Sequence, residues 1–292
     1  MSKKDTNNTD PNTTGPNTTG HVWDGIEEFD NPLPRWWLWT FYATILFAIV
    51  WTILYPAWPI STRGATPGLL GYSSRAAVAA DIERYKQANA AVNKKLTTVP
   101  LDQIEKDPEL VSYALNGGAA VFRTFCAQCH GAGANGNKGF PSLIDDDWLW
   151  GGTIDDIYTT ISHGIRYASD EDTRDSEMPA WGDQLTRQEI ADVVQYVRSI
   201  SGQKADAALA KAGATVFGDN CAACHGDDGK GNRDIGAPNL TDRIWLYGGD
   251  VETLTQTITH GRKGVMPAWA GRLSEAQIRE VAVWVHQQGG GE

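Results

Sequence analysis

The stretch "GGAAVFRTFCAQCHG" (117–131) recurs as "AGATVFGDNCAACHG" (212–226), an offset of 95 residues. Each copy contains C-x-x-C-H: Cys126, Cys129 and His130 in the first, Cys221, Cys224 and His225 in the second. Two thiols one helical turn apart reach the two vinyl groups of a haem, and the adjacent histidine reaches the iron from the same face. The pattern is therefore the attachment signature of covalent haem c, with histidine as proximal ligand. A zinc ribbon needs its cysteine pairs about 15 to 20 residues apart, whereas these stand 92 apart at their nearest members. A redox dithiol needs a βαβ context and no obligatory histidine. Four cysteines in two close pairs also exclude a disulfide scaffold.

The duplication extends further. "WLWGG" (148–152) matches "WLYGG" (245–249), and "MPAWGDQLTRQEIADVVQYVRS" (178–199) matches "MPAWAGRLSEAQIREVAVWVHQ" (266–287). Two homologous domains follow, 112–203 and 204–292. Each is expected to open and close with a helix. Thr186 with Glu189 and Ser274 with Gln277 are capping boxes for the closing helices. Ile190, Val193, Val194 and Val197 fall at helical spacing, as do Ile278, Val281, Ala282 and Val285, which makes one face of each helix apolar. Phe122 and Phe217 on the opening helices are placed to pack on Tyr196 and Trp284. No strand pattern in the repeats is convincing, so the fold class is mainly α.

A second axial ligand is needed for each iron. Apart from Met1, the methionines are Met178 and Met266, one per repeat, each in "MPAW", where the proline stiffens the loop that must present sulfur. His163 and His260 are also one per repeat and are the alternative distal ligands. Each is followed directly by glycine, which reads more naturally as a helix C-terminus. The 48 residues from His130 to Met178 and the 41 from His225 to Met266 suit self-contained domains, although an exchanged ligand set would use the same residues. His21 and His286 have no counterpart in the repeat and read as surface residues. With both axial positions filled, neither iron has a site for substrate, which points to electron transfer and not catalysis.

Between His163 and Met178 lie nine more residues than between His260 and Met266. The stretch "SDEDTRDSE" (169–177) holds five carboxylates against Arg174. It reads as a solvated loop or, more sharply, as a docking patch for a basic donor cytochrome c.

From 36 to 60 there are 25 residues without a charge, long enough to span a bilayer. Trp36, Trp37 and Trp39 at one end and Trp58 at the other fit interfacial belts, and Pro56 and Pro59 mark the stop. With 35 largely polar residues ahead of it, the segment is expected to remain as an anchor and not to be cleaved as a signal. Residues 1–20 are a low-complexity Asn/Thr/Pro/Gly tract read as disordered, 21–35 a pre-helix motif, and 61–111 a helical linker capped at Ser74. Both polar segments are acidic, 3 basic to 6 acidic residues in 1–35 and 22 to 30 in 61–292. Nucleic acid is therefore excluded as a partner, and a basic protein fits.

From Gly117 to Gln287 the chain resembles two class I cytochrome c domains in tandem. "HVWDGIEEFDNPLPRWW" (21–37) resembles the signature that opens the dihaem subunit (CcoP or FixP) of the cbb3-type cytochrome c oxidases. The resemblance implies two haem c groups, and electrons taken from a donor cytochrome c and passed through a monohaem cytochrome c subunit to a catalytic haem-copper subunit. It also implies an inner-membrane anchor with the N-terminus cytoplasmic and the haem domains periplasmic, because bacterial haem c attachment occurs outside the cytoplasm. The alternatives are a free-standing membrane dihaem cytochrome and a dihaem peroxidase; a gas sensor would need an output domain that the sequence does not show.

Overall fold

A computed structural model describes residues 18–59 and 64–292; most of the tail expected to be disordered and the last residue of the apolar run, Ile60, lie outside the described residues. In the N-terminal unit, β1 (Thr18–Trp23) and β2 (Ile26–Phe29) form an antiparallel hairpin. Asp24 and Gly25 at its tip both have positive φ, 48° and 84°, the conformation a two-residue turn of matching twist demands. Thr18 to Gly20, placed in the disordered tail on composition, belong to this hairpin.

Helix α1 (Arg35–Leu54) runs for 20 residues, about 30 Å, enough to cross the hydrocarbon of a bilayer. It stops short of the expected end because Pro56 drives Tyr55 into an extended conformation, φ −114° and ψ 160°. Its polar side chains are satisfied within the helix: Thr40, Thr44 and Thr52 donate to the carbonyls of Trp36, Phe41 and Ile49, as a lipid environment requires. In α2 (Ser74–Ala88), the Ser73 hydroxyl, one residue before the expected cap, accepts from the Ala76 N–H at 3.3 Å.

The C-terminal unit holds α3 (Ala90–Thr98), α4 (Leu101–Ile104), α5 (Pro108–Val121), α6 (Ala127–His130), α7 (Ile154–His163), α8 (Arg187–Ile200), α9 (Ala207–Asn220), α10 (Ala222–His225), α11 (Val251–His260) and α12 (Glu275–His286). Asp107 and Asp206 cap α5 and α9, and both expected capping boxes form on α8 and α12.

The packing crosses the repeat boundary. The opening helix of the first repeat, α5, packs on α12, the closing helix of the second, while α8 packs on α9. Phe122 accordingly meets Trp284, with centroids 4.4 Å apart, and Phe217 meets Tyr196 at 5.1 Å. One core joins Val121, Phe122, Ile157 and Ile161 to Ile278, Val281, Ala282 and Val285; another joins Ile190, Val193, Val194 and Val197 to Phe217, Leu254 and Ile258. Each lobe of the unit thus draws on both repeats: one is contiguous in sequence, and the other is built from the two ends of the unit.

The physical reason is local. Only 201–206 separate α8 from α9, and helices joined by so short a loop become antiparallel neighbours. The Arg198 guanidinium closes that loop on the Lys204 carbonyl, and the Asp206 N–H donates to Gln195 Oε1. At both crossings a glycine admits the partner backbone: a Cβ at Gly118 would strike the Glu280 carbonyl, and one at Gly213 the Asp192 carbonyl.

Residues 90–104, read as linker, contribute to the core of the discontinuous lobe, where Leu96, Leu101 and Ile104 pack with Leu110, Ala114, Ala276 and Val283. Arg279 of α12 donates to the Val99 carbonyl at 2.7 Å. His286, expected at an ordinary surface position, binds Glu105 through Nδ1 at 2.6 Å and the Glu292 carbonyl through Nε2 at 3.0 Å.

Glu280 lies in the α5–α12 crossing, 6% exposed, and burial pushes its carboxyl up from 4.5 to about 7. The folded protein therefore binds this proton more tightly than the unfolded chain, a stabilisation complete below about pH 4.5 and lost as pH rises through about 7. Glu280→Gln is expected to remove this pH dependence and to exceed the parent in stability by up to about 3 kcal/mol at pH 8, read by urea unfolding across pH. Gly213→Val should cost about 3 kcal/mol or more in the same measurement, because the Asp192 backbone cannot retreat.

Candidate functional site

In the first repeat α5 runs through one π turn, Phe122–Cys126, before α6 carries Ala127 to His130. In the second, α9 leads through Cys221 into α10. Cys126 and Cys221 are half-buried, whereas Cys129 and Cys224 are exposed. As free thiols, Cys126 and Cys221 are pushed up to about 11 by burial.

His130 and His225 are each 9% exposed, and burial holds both below the ordinary histidine range, so they are neutral near pH 7. Nδ1 of His130 donates to the Pro141 carbonyl at 3.0 Å, and Nδ1 of His225 to that of Pro238 at 3.1 Å. A carbonyl can only accept, so Nδ1 carries the proton and the lone pair lies on Nε2. This tautomer and orientation are those of an iron ligand held from behind. The returning loops repeat too: Gly136 N–H donates to the His130 carbonyl, and Gly231 N–H to that of His225, both at 2.8 Å. The two prolines were not singled out in the sequence, although "FPSL" (140–143) and "APNL" (237–240) stand at matching places in the repeats.

Met266 packs on the apolar cluster shared by Cys126, Ala127, Trp269 and Trp284. Met178 packs on the cluster shared by Cys221, Ala222, Trp181 and Tyr196. The first cysteine of each C-x-x-C-H motif thus packs on the same apolar cluster as the methionine of the other repeat.

Each methionine loop docks on the end of a helix from the other repeat. Trp269 N–H donates to the Ile161 carbonyl of α7, and Trp181 N–H to the Ile258 carbonyl of α11. Gly164 and Gly261, both at φ 70°, end those helices, and a Cβ on either would strike the carbonyl of Met266 or Met178 respectively. Met266 exchanges two backbone hydrogen bonds with Ile165, at 2.9 and 3.0 Å, and Met178 two with Arg262, at 3.1 and 3.0 Å.

The alternative ligands are turned to other partners or to solvent. His163 is the last residue of α7, 32% exposed at its side chain, and Nδ1 contacts Asp170 at 3.1 Å. His260 ends α11 and is exposed. His21 lies exposed on β1.

The acidic insertion is tied down at several points. Asp170 holds His163, Glu177 pairs with Lys263 at 2.6 Å, and Arg174 bonds Asp156 at 3.0 Å while lying over the Trp150 ring. It forms the longer of the two connections between lobes.

The donor set fits haem c in both lobes: two cysteines, a neutral histidine oriented by a proline carbonyl, and a thioether packed on an apolar cluster. Soft sulfur, imidazole and a dry surround are what a low-spin iron of an electron carrier requires.

Comparison with known proteins agrees. Residues 15–62 match the family model for the N-terminal domain of cytochrome oxidase-cbb3, FixP, and residues 114–197 and 208–285 each match that for cytochrome c oxidase, cbb3-type, subunit III. The chain is 62% identical over 274 residues to the cbb3-type cytochrome c oxidase subunit CcoP of Cereibacter sphaeroides, covering 93% of this chain and 94% of that one. It is 58% identical to the CcoP subunit of Rhodobacter capsulatus over the whole of both chains. It is 54% identical to the FixP subunit of Azorhizobium caulinodans, covering 93% and 92%. The chain belongs to the CcoP/FixP family of cbb3-type cytochrome c oxidase subunits.

Proposed function

We propose that the chain is the electron-input arm of its oxidase. It holds one haem c at Cys126, Cys129 and His130 and a second at Cys221, Cys224 and His225. Electrons pass from a basic donor cytochrome c, through these centres and a monohaem cytochrome c subunit, towards the catalytic haem-copper subunit. The N-terminus is cytoplasmic and the haem lobes periplasmic, because haem c is attached outside the cytoplasm. The acidic balance of 61–292, 30 acidic to 22 basic residues, favours encounter with a basic donor.

The observation that carries the ligand assignment is the crossed packing: Met266 shares an apolar cluster with Cys126, and Met178 shares one with Cys221. We therefore assign Met266 as the sixth ligand at the first motif and Met178 at the second. The haem lobes are then 88–165 with 262–292, and 166–261, in place of two sequential domains. A bound haem supplies a one-electron couple, whose potential is raised by the Met/His pair. The chain's own residues do the rest. The Pro141 and Pro238 carbonyls fix the imidazoles, Phe122–Trp284 and Phe217–Tyr196 pack the helices that carry the motifs, and His130 with Met266 and His225 with Met178 would hold the iron.

Alkaline pyridine spectra of the purified chain should count two haems per polypeptide. Met266→Leu in a chain whose second motif is disabled by Cys221→Ala and Cys224→Ala should abolish the sulfur-to-iron charge-transfer band of the remaining haem, while Met178→Leu leaves it. The reverse result would restore self-contained domains. Affinity purification of the native complex through this chain should bring down a monohaem cytochrome and a copper-containing polytopic subunit; recovery of a lone dihaem protein would overturn the oxidase partnership.

A further inference from the structure

The two lobes are connected by residues 165–177 going out and 262–265 coming back. Arg166 stands in this crossing with φ 52°, a left-handed backbone that is strained for a non-glycine residue. Its Nε donates to the Gly264 carbonyl at 2.5 Å, and its Nη1 to the Ser176 carbonyl. Gly264 and Ser176 occupy equivalent positions in the two repeats, each two residues before its methionine. One guanidinium therefore grips the same carbonyl of both methionine loops.

Neighbouring contacts hold the grip in place. The Arg166 N–H donates to the Arg174 carbonyl at 2.8 Å, Ile165 pairs with Met266, and Met178 pairs with Arg262. Lys263, the counterpart of Arg166 in the second repeat, bonds Glu177 at 2.6 Å across the same crossing. A planar fork with fixed donor directions can hold two carbonyls at a set separation and angle, which an ammonium cannot.

We propose that Arg166 is a positioning residue that sets the presentation of Met178 and Met266 together, so that the two iron ligations are adjusted by one side chain. This rests on both methionines being ligands. A shift of either loop is transmitted through the guanidinium to the other, a contiguous connection between two sites of the kind that coupling requires.

The test uses the full-length, haem-loaded chain in detergent, where its own haems alone contribute, with the charge-transfer band of the oxidised state and the midpoint potentials as readouts. Arg166→Ala is expected to weaken the band and lower the potential at both haems. Arg166→Gly should do the same even though glycine relieves the left-handed backbone, which separates lost clamping from lost folding. Arg166→Lys should give a smaller change, again at both haems. An effect at one haem alone, or at neither, overturns the proposal. Met178→Leu and Met266→Leu are measured alongside; if neither removes the band of any haem, the ligand assignment itself fails, independently of the Arg166 result.

Discussion

The structure depends on the docking of each Met-Pro-Ala-Trp loop against the end of a helix from the opposite repeat. Gly164 and Gly261 make that contact possible, because a side chain at either position would occupy the space of a methionine carbonyl. Two tryptophan N–H groups then satisfy helix-terminal carbonyls that would otherwise be orphaned, Trp269 on α7 and Trp181 on α11. Anchoring a methionine loop and capping a helix are here a single interaction, made twice.

From this exchange the rest of the haem region follows. Once the first methionine loop has crossed, α8 must follow it, and the short turn 201–206 lays α9 back along α8. The C-x-x-C-H of the second repeat thus arrives beside Met178, and the return segment delivers Met266 and α12 to the first. Neither lobe is complete until the chain has passed through the other, so the stability of one lobe includes burial achieved by residues more than 100 positions away, as at Phe122 and Trp284. The nine extra residues of 169–177 are part of this geometry: Glu177, Arg174 and Asp170 are spent on contacts within the crossing and its flanks.

Three of the buried polar groups in this unit, His130, His225 and Glu280, are of two kinds. His130 and His225 are oriented by proline carbonyls and kept neutral, a state that serves metal binding. Glu280 is desolvated between helices and has its proton affinity raised by burial alone. The first kind is repeated in both lobes by matching residues, whereas the counterpart of Glu280 is Asp192, whose carboxylate accepts from Gln188 Nε2 at 2.9 Å. Repetition with satisfied partners marks the functional pair; Glu280 is a local cost of packing.

The sequence by itself determined the local pieces: the two C-x-x-C-H motifs, the membrane-length helix, the capping boxes and the glycine stops after His163 and His260. These are legible because they depend on residues within a few positions of one another, through thiol spacing, helical period and local hydrogen bonds. It also carried an unread sign of the hairpin at Asp24-Gly25 and of the α8–α9 pair in a six-residue turn. Only the tertiary structure decided which methionine shares an apolar cluster with which C-x-x-C-H motif, that residues 90–104 belong to the core, and that one arginine spans both loops. Those outcomes turn on which apolar face buries which. Two repeats with interchangeable faces, Val193 and Val194 against Val281 and Ala282, allow self-contained and crossed pairings alike by local rules. The choice is made by chain connectivity and by steric fit at Gly118, Gly213, Gly164 and Gly261.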